Sequence, residues 1–368
     1  MGLTSFNNFV VLCAAEDDPT ENNVPYDAVE AILTDGEADI VYQDFTDVQI
    51  VPTGEMVGGD TVRGSNDGKR QQFIKQMSNV TVEGKLRAFP DSGTLPRYHP
   101  ILRAANIDLS IDNDDVVGFK KTKQVAACTI YKFYRQIYDD NWRLRVATGV
   151  VGSLTINIDV DQEPTFSFEG TGQYFDLEAP AEFFDPANGQ IALLKDGSTA
   201  ITARTTGEFI QDNQEPMTCT NMTVSANDGA GFNEPILLQT MELNLNFDVA
   251  DLTPVQGATT RRRGVLTRGR GAATEGSADV VDYTEAAINE IIDGVTATPS
   301  KEYALTVELG NSQGTVELFA PKMQFMREEE SDNSGVVQYA FPFRLNGDWE
   351  ERLLPDNELR ITYSPAPA

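Results

Sequence analysis

Apolar and polar side chains alternate every second residue through two long stretches of this chain. Each stretch is interrupted once and followed by a return stretch of the same period. The first runs from Arg143 to Ile158 through Val146, Leu154 and Ile156, bends at Gly149 to Gly152, and returns over Thr165–Tyr174 through Phe166, Phe168, Gly170 and Gly172. The second runs from Thr315 to Met326 through Phe319, Pro321, Met323 and Phe325, and returns over Gly335–Gly347 through Val337, Tyr339, Phe341, Phe343 and Leu345. Period two sends successive side chains to opposite faces of a strand, so each stretch with its return predicts a half-buried antiparallel hairpin.

Shorter alternating runs predict further strands at Ile40–Tyr42, Val48–Val51, Val80–Phe89, Ala127–Tyr138, Met217–Val224 and Leu237–Val249. Helical spacing is rare. A short helix is predicted at Tyr26–Leu33 in an otherwise acidic, turn-rich segment. A second begins at Pro100 and ends at Asn106, with Ile101, Leu102 and Ala105 on one side. A third covers Thr284–Ile292: Asp282-Tyr283-Thr284-Glu285 has capping-box spacing, Ala287, Ile288, Ile291 and Ile292 form a stripe, and Gly294 is expected to stop it. Two loops too polar for a core, residues 52–72 with Arg63, Lys69 and Arg70, and Thr253–Gly271 with Arg261, Arg262 and Arg263, precede the second and third helices. The series strand, basic loop, strand, helix, long hairpin therefore occurs twice. It divides the chain into a first β domain over 1–175, a connector over 176–215 with a small hairpin at Asp196-Gly197, and a second β domain over 216–368.

Composition narrows the function classes. The chain has 368 residues, enough for two cores, and 40% apolar residues without a run near the about 18 needed to span a bilayer. Met1–Phe6 shows neither the basic-then-apolar layout of a secretory signal nor a myristoylation site. With 57 acidic and 28 basic residues the formal charge is −29, which repels nucleic acid rather than gripping it. Solubility or a salty environment would also account for such acidity.

Catalytic chemistry finds little to build on. Cys13, Cys128 and Cys219 are far apart and suggest neither a zinc site nor a disulfide framework. His99 is the only histidine, and no motif marks an activated serine beside it. Acidic pairs such as Asp114-Asp115 and Glu328-Glu329-Glu330 are expected by chance in so acidic a chain, and Asp112–Asp115 lacks the spacing of a calcium loop. The Arg261–Arg263 run lacks the aromatics of a nucleic-acid patch and suits acidic protein surface better. Neither Gly149–Gly152 nor Gly269–Gly271 has phosphate-loop spacing. No cofactor or metal is expected, and no enzyme activity.

Three stretches together carry a family resemblance: Val80–Asn106 with Ser92-Gly93-Thr94, Pro96 and Leu102-Arg103-Ala104-Ala105; Thr129–Tyr174 with Ala147-Thr148-Gly149 and Gly170-Thr171-Gly172; and Thr315–Gly347 with Ala320-Pro321-Lys322 and Phe343–Gly347. In this order the chain resembles the major tail tube proteins of long-tailed bacteriophages, in a form where the tube domain is duplicated. The resemblance implies a mainly β chain of two tandem β-sandwich or half-barrel domains, each with a short flanking helix. It also implies a structural virion protein of the tail, assembled in the host cytoplasm and not inserted in a membrane. Its rings would stack into a tube around the tape measure protein, with tail terminator and distal tail proteins at the ends, and DNA would pass through unbound. Two repeats per chain suggest a homotrimeric ring of pseudo-sixfold symmetry; the runner-up is a hexamer with the second repeat outside. The polar positions Thr155, Asn157, Asp159, Thr165, Ser167, Glu169, Gln324 and Gln338 are then expected to face the lumen, and Arg63, Lys69, Arg70, Arg261, Arg262 and Arg263 to contact the next ring. A carbohydrate-binding or adhesin sandwich, which would favour more exposed tryptophan than Trp142 and Trp349, and a capsid decoration protein are the non-catalytic alternatives; an acidic hydrolase fits least.

Overall fold

A computed structural model describes residues 9–16, 41–42, 45–53, 56–57, 72–73, 77–87, 98–113, 116–121, 127–135, 142–159, 162–178, 193–195, 199–201, 216–226, 233–235, 237–245, 249–252, 264–267, 275–282, 285–297, 300–326, 329–333, 336–346 and 358–365. The protein is mainly β, with one large antiparallel sheet and two short helices among these residues. The first half contains β1 (Phe9–Glu16), β2 (Val41–Tyr42), β3 (Asp47–Thr53), β4 (Met56–Val57), β5 (Gln72–Phe73), β6 (Met77–Lys85), α1 (His99–Ala104), β7 (Ile107–Asn113), β8 (Val116–Lys121), β9 (Ala127–Arg135), β10 (Trp142–Asp159) and β11 (Thr165–Glu178). A separate small hairpin, β12 (Leu193–Lys195) with β13 (Thr199–Ile201), follows where Asp196-Gly197 predicts one. The second half contains β14 (Thr218–Ala226), β15 (Asn233–Pro235), β16 (Leu237–Leu245), β17 (Val249–Leu252), β18 (Gly264–Thr267), β19 (Glu275–Asp282), α2 (Glu285–Thr296), β20 (Tyr303–Gly310), β21 (Gly314–Phe325), β22 (Glu329–Asn333), β23 (Val336–Leu345) and β24 (Arg360–Pro365).

The two halves share one strand order. In the first, neighbours run β3, β6, β11, β10, β9, β1, β2. In the second they run β16, β19, β23, β21, β20, β14, β15. Two ladders join the halves. The C-terminal part of β10 pairs with β16 from Leu154↔Leu245 to Asp159↔Thr240, and β24 pairs with β8 from Arg360↔Lys120 to Tyr363↔Val117. Among the described strands no pairing brings one end of the sheet back to the other, so it is an open, branched sheet.

Alternation explains which face is buried. Val48, Ile50, Val80, Val82, Leu154, Ile156, Phe166, Phe168, Leu243, Phe341 and Phe343 all lie on the core face, and one apolar cluster runs through both halves. The strain of bending β10 falls on Gly149, whose φ of 59° suits glycine, beside the register shift between Thr148 and Val151. Helix α1 starts with Pro100 in its first turn and ends before Asn106 at φ 63°, as its sequence predicts.

Several expectations need correction. Helix α2 continues through Gly294 to Thr296. A Cβ there would collide with the Tyr303 hydroxyl, so this glycine makes room for packing rather than ending the helix. The second hairpin is not a continuous pair: β21 meets β23 only at Met323–Phe325, while its first part lies between β20 and β24. The return strand β23 instead pairs with β22 and β19. The run Leu237–Val249 divides into β16 and β17, and β6 ends at Lys85 short of Phe89, which lies outside the described residues along with Tyr26–Leu33.

Candidate functional site: a polar sheet face and two open edges

Eight strands from both halves form one continuous layer, in the order β3, β6, β11, β10, β16, β19, β23, β22. Cross-strand partners share a face, so a single row can be followed across the chain. Asp47 pairs with Glu83, Glu83 with Ser167, Ser167 with Thr155, Thr155 with Asn244, Asn244 with Glu275, Glu275 with Arg344, and Arg344 with Gln324. The next row runs Lys85, Thr165, Asn157, Glu242, Ser277, Pro342.

Thr155, Asn157, Asp159, Thr165, Ser167, Glu169 and Gln324 are thus gathered on one face, all exposed or half-buried, opposite the apolar core. Gln338 is paired with Ser331 in the β22–β23 ladder; its side chain lies outside the described ones. Sequence reasoning did not include Asp47, Glu83, Glu242 or Glu275, which face the same way from neighbouring strands. Their own alternation was a usable signal, but the pairing that aligns them was not visible. Asp47, Glu83, Asp159, Glu169, Glu242 and Glu275 outnumber Lys85 and Arg344 on this face. Across the joint between the halves, Thr155 Oγ1 donates to Asn244 Oδ1 at 2.8 Å, and Asn244 Nδ2 donates to Glu242 Oε1 at 2.6 Å. Near the tip of the first hairpin Glu163 holds both Lys85 and Arg87, the latter at 3.0 Å.

The outer edges of this layer are β3 at one end and β22 at the other, and neither has a second strand partner among the described residues. The corresponding edge of β16 is covered by β10 of the same chain. Val51 on β3 and Met326 just before β22 are the large apolar side chains left exposed among the described residues.

Two short ladders, β4 with β5 and β17 with β18, stand in equivalent places, between β3 and β6 and between β16 and β19. Arg63, Lys69 and Arg70 fall in the segment joining the first pair, and Arg261, Arg262 and Arg263 in the segment joining the second. All six lie outside the described residues.

Of the residues weighed for catalysis, His99 is buried at the start of α1 and Cys128 is buried in β9, while Cys219 is partly exposed. Asp114-Asp115 separates Asn113 from its partner Val116 in the β7–β8 hairpin. Among the described residues no three His, Cys, Asp or Glu side chains are grouped to hold a metal, and no helix is long and apolar enough to cross a membrane. The most perturbed side chains are structural: burial pushes the hydroxyls of Tyr98 and Tyr363 well above the usual tyrosine range. Burial also pulls the Lys132 ammonium below its ordinary value, against the attraction of Asp47. In comparisons with known proteins, the chain matches no family model and no curated sequence.

Proposed function

We propose that this chain is a structural subunit that closes into rings stacked as a tube, the role implied by its resemblance to duplicated phage tail tube proteins. The observation that carries the reading is the β10·β16 ladder, a sheet-edge joint between two halves of like strand order. The chain also ends its continuous layer in one open edge of each kind: β3 holds the place of β16, and β22 extends the strand that holds the place of β10. An open edge seeks a strand, and a heterologous contact repeated by rotation closes a ring. Copying the internal joint between chains pairs β22 of one copy with β3 of the next. Three chains of two halves then give pseudo-sixfold symmetry.

The acidic polar face lines the lumen in this arrangement, so DNA slides past Glu83, Glu169, Glu242 and Glu275 without being held. The basic segments at the ends of the two small ladders reach the acidic surface of the next ring, where opposite charges set register. The protein does no chemistry in this role.

Electron microscopy of the purified protein tests the proposal. Rings or hollow tubes with three chains per ring are expected. Protein that stays monomeric at all concentrations would refute it, and six chains per ring would refute the trimer.

A further inference from the structure

One lysine occupies a position where its counterpart strand carries only apolar residues. Lys132 in β9 follows Cys128 and Ile130 in the alternation that points into the core, both of them fully buried. The strand in the equivalent place of the second half, β20, fills its core-facing positions with Tyr303, Leu305, Val307 and Leu309. Apolar packing therefore does not explain an ammonium at Lys132. Its Nζ instead reaches across to β3 and donates a hydrogen bond to the Val48 carbonyl oxygen.

That carbonyl belongs to the open edge. A proline in a paired strand sits where its nitrogen faces away from the neighbouring strand, and Pro52 pairs with Ser78 of β6. Backbone groups alternate sides along a strand, so Val48 and Ile50 present theirs on the outward edge as Pro52 does. Lys132 thus puts a charged donor where an added strand would place a backbone N–H. β16, the counterpart whose edge is already covered by β10, faces no such lysine, because β20 offers none. A charged side chain turned inward at an edge is one of the ways proteins hold off strand addition.

We propose that Lys132 is an edge guard: its ammonium caps the Val48 carbonyl of β3 in the free subunit and must withdraw before a second copy of this chain adds its strand there. The inference rests on the ring reading above and concerns its control. In the assembled ring the N–H groups of the incoming strand take over the edge, and the ammonium gives up the Val48 carbonyl.

Assembly onset measured by light scattering against protein concentration, for wild type, Lys132→Met and Lys132→Arg, tests this. Methionine keeps the apolar stem without a donor, and its onset is expected at about tenfold lower concentration, the worth of one charge-assisted hydrogen bond. Arginine keeps a charged donor and is expected to stay within about twofold of wild type. Near-ultraviolet circular dichroism below onset verifies that both variants are folded; if the methionine variant is not, Lys132→Leu, also without a donor, replaces it with the same expectation. An assembling wild type whose methionine variant assembles at equal or higher concentration overturns the guard and leaves the ring reading intact. Assembly of the methionine variant alone supports both ideas, whereas failure of every variant, wild type included, overturns both.

Discussion

Removing one hydroxyl from the pair Tyr98 and Tyr363 should destabilise the protein more than its share of a double deletion. The two oxygens lie 2.7 Å apart, joining the residue before α1 in the first half to β24 in the second, and Tyr98 also reaches the Arg87 carbonyl at 3.5 Å. Both side chains are buried, Tyr363 to 1% exposure, and their rings pack at 6.3 Å between centroids, with Phe166 5.1 Å from Tyr98. Phenylalanine retains this ring packing, so only the hydroxyl is tested. Each of Tyr98→Phe and Tyr363→Phe takes from the remaining hydroxyl its short partner in a dry site, at a cost of about 1–2 kcal/mol. The double variant removes both polar groups together and should cost less than the sum by about 1 kcal/mol. Denaturant unfolding of the four proteins at a concentration below assembly gives the cycle. Strictly additive losses, with no coupling between two groups in contact, would refute the reasoning.

The same pair sets an alkaline limit. Because burial raises both folded values above the ordinary tyrosine pKa of about 10, the stabilisation is complete below that pH and lost as pH rises through and beyond it; a wild-type melting temperature that falls no faster than that of the double phenylalanine variant above pH of about 10 would contradict this. Gly294→Ala should lower stability by about 1–3 kcal/mol even though alanine favours helix, because the new methyl meets the Tyr303 hydroxyl; a melting temperature that rises instead would refute the packing role of Gly294.

Much of the layering was legible because alternation reports faces directly. β10 follows its pattern to within a residue at each end, β11 begins where predicted and continues past Tyr174 to Glu178, and the candidate polar positions share one face as period two requires. What alternation does not report is which strand lies alongside. β21 and β23 each alternate well, yet they touch only near Met323 and Phe343, because β24 comes back from the end of the chain to take the place beside the first part of β21. Strand β20 carries plain alternation from Tyr303 to Leu309 but no turn signal linking it to β14, its neighbour from far upstream. The misread helix end has a similar origin. A glycine after an apolar stripe reads as a cap from local spacing, and only the distant Tyr303 reveals the need for space.

The joint between the halves also bears on how the proposed ring would form. β10 meets β16 within one chain, so that contact forms at the effective concentration of a tethered pair and is already in place in the free subunit. In a ring of three chains, half of the six joints are therefore made during folding, and only the three β22-to-β3 contacts depend on protein concentration. A single-repeat subunit would have to form all six between separate molecules. Duplication lowers the number of bodies to be gathered, but it leaves each free subunit with two permanently presented edges. Lys132 fits this circumstance, because it stands at an edge that no described strand of the chain covers, whereas the apolar row of β20 stands in the half whose edge is covered within the chain. On the ring proposal, the divergence of the halves at this core-facing position would follow from which joint folding closes and which it leaves for a second copy.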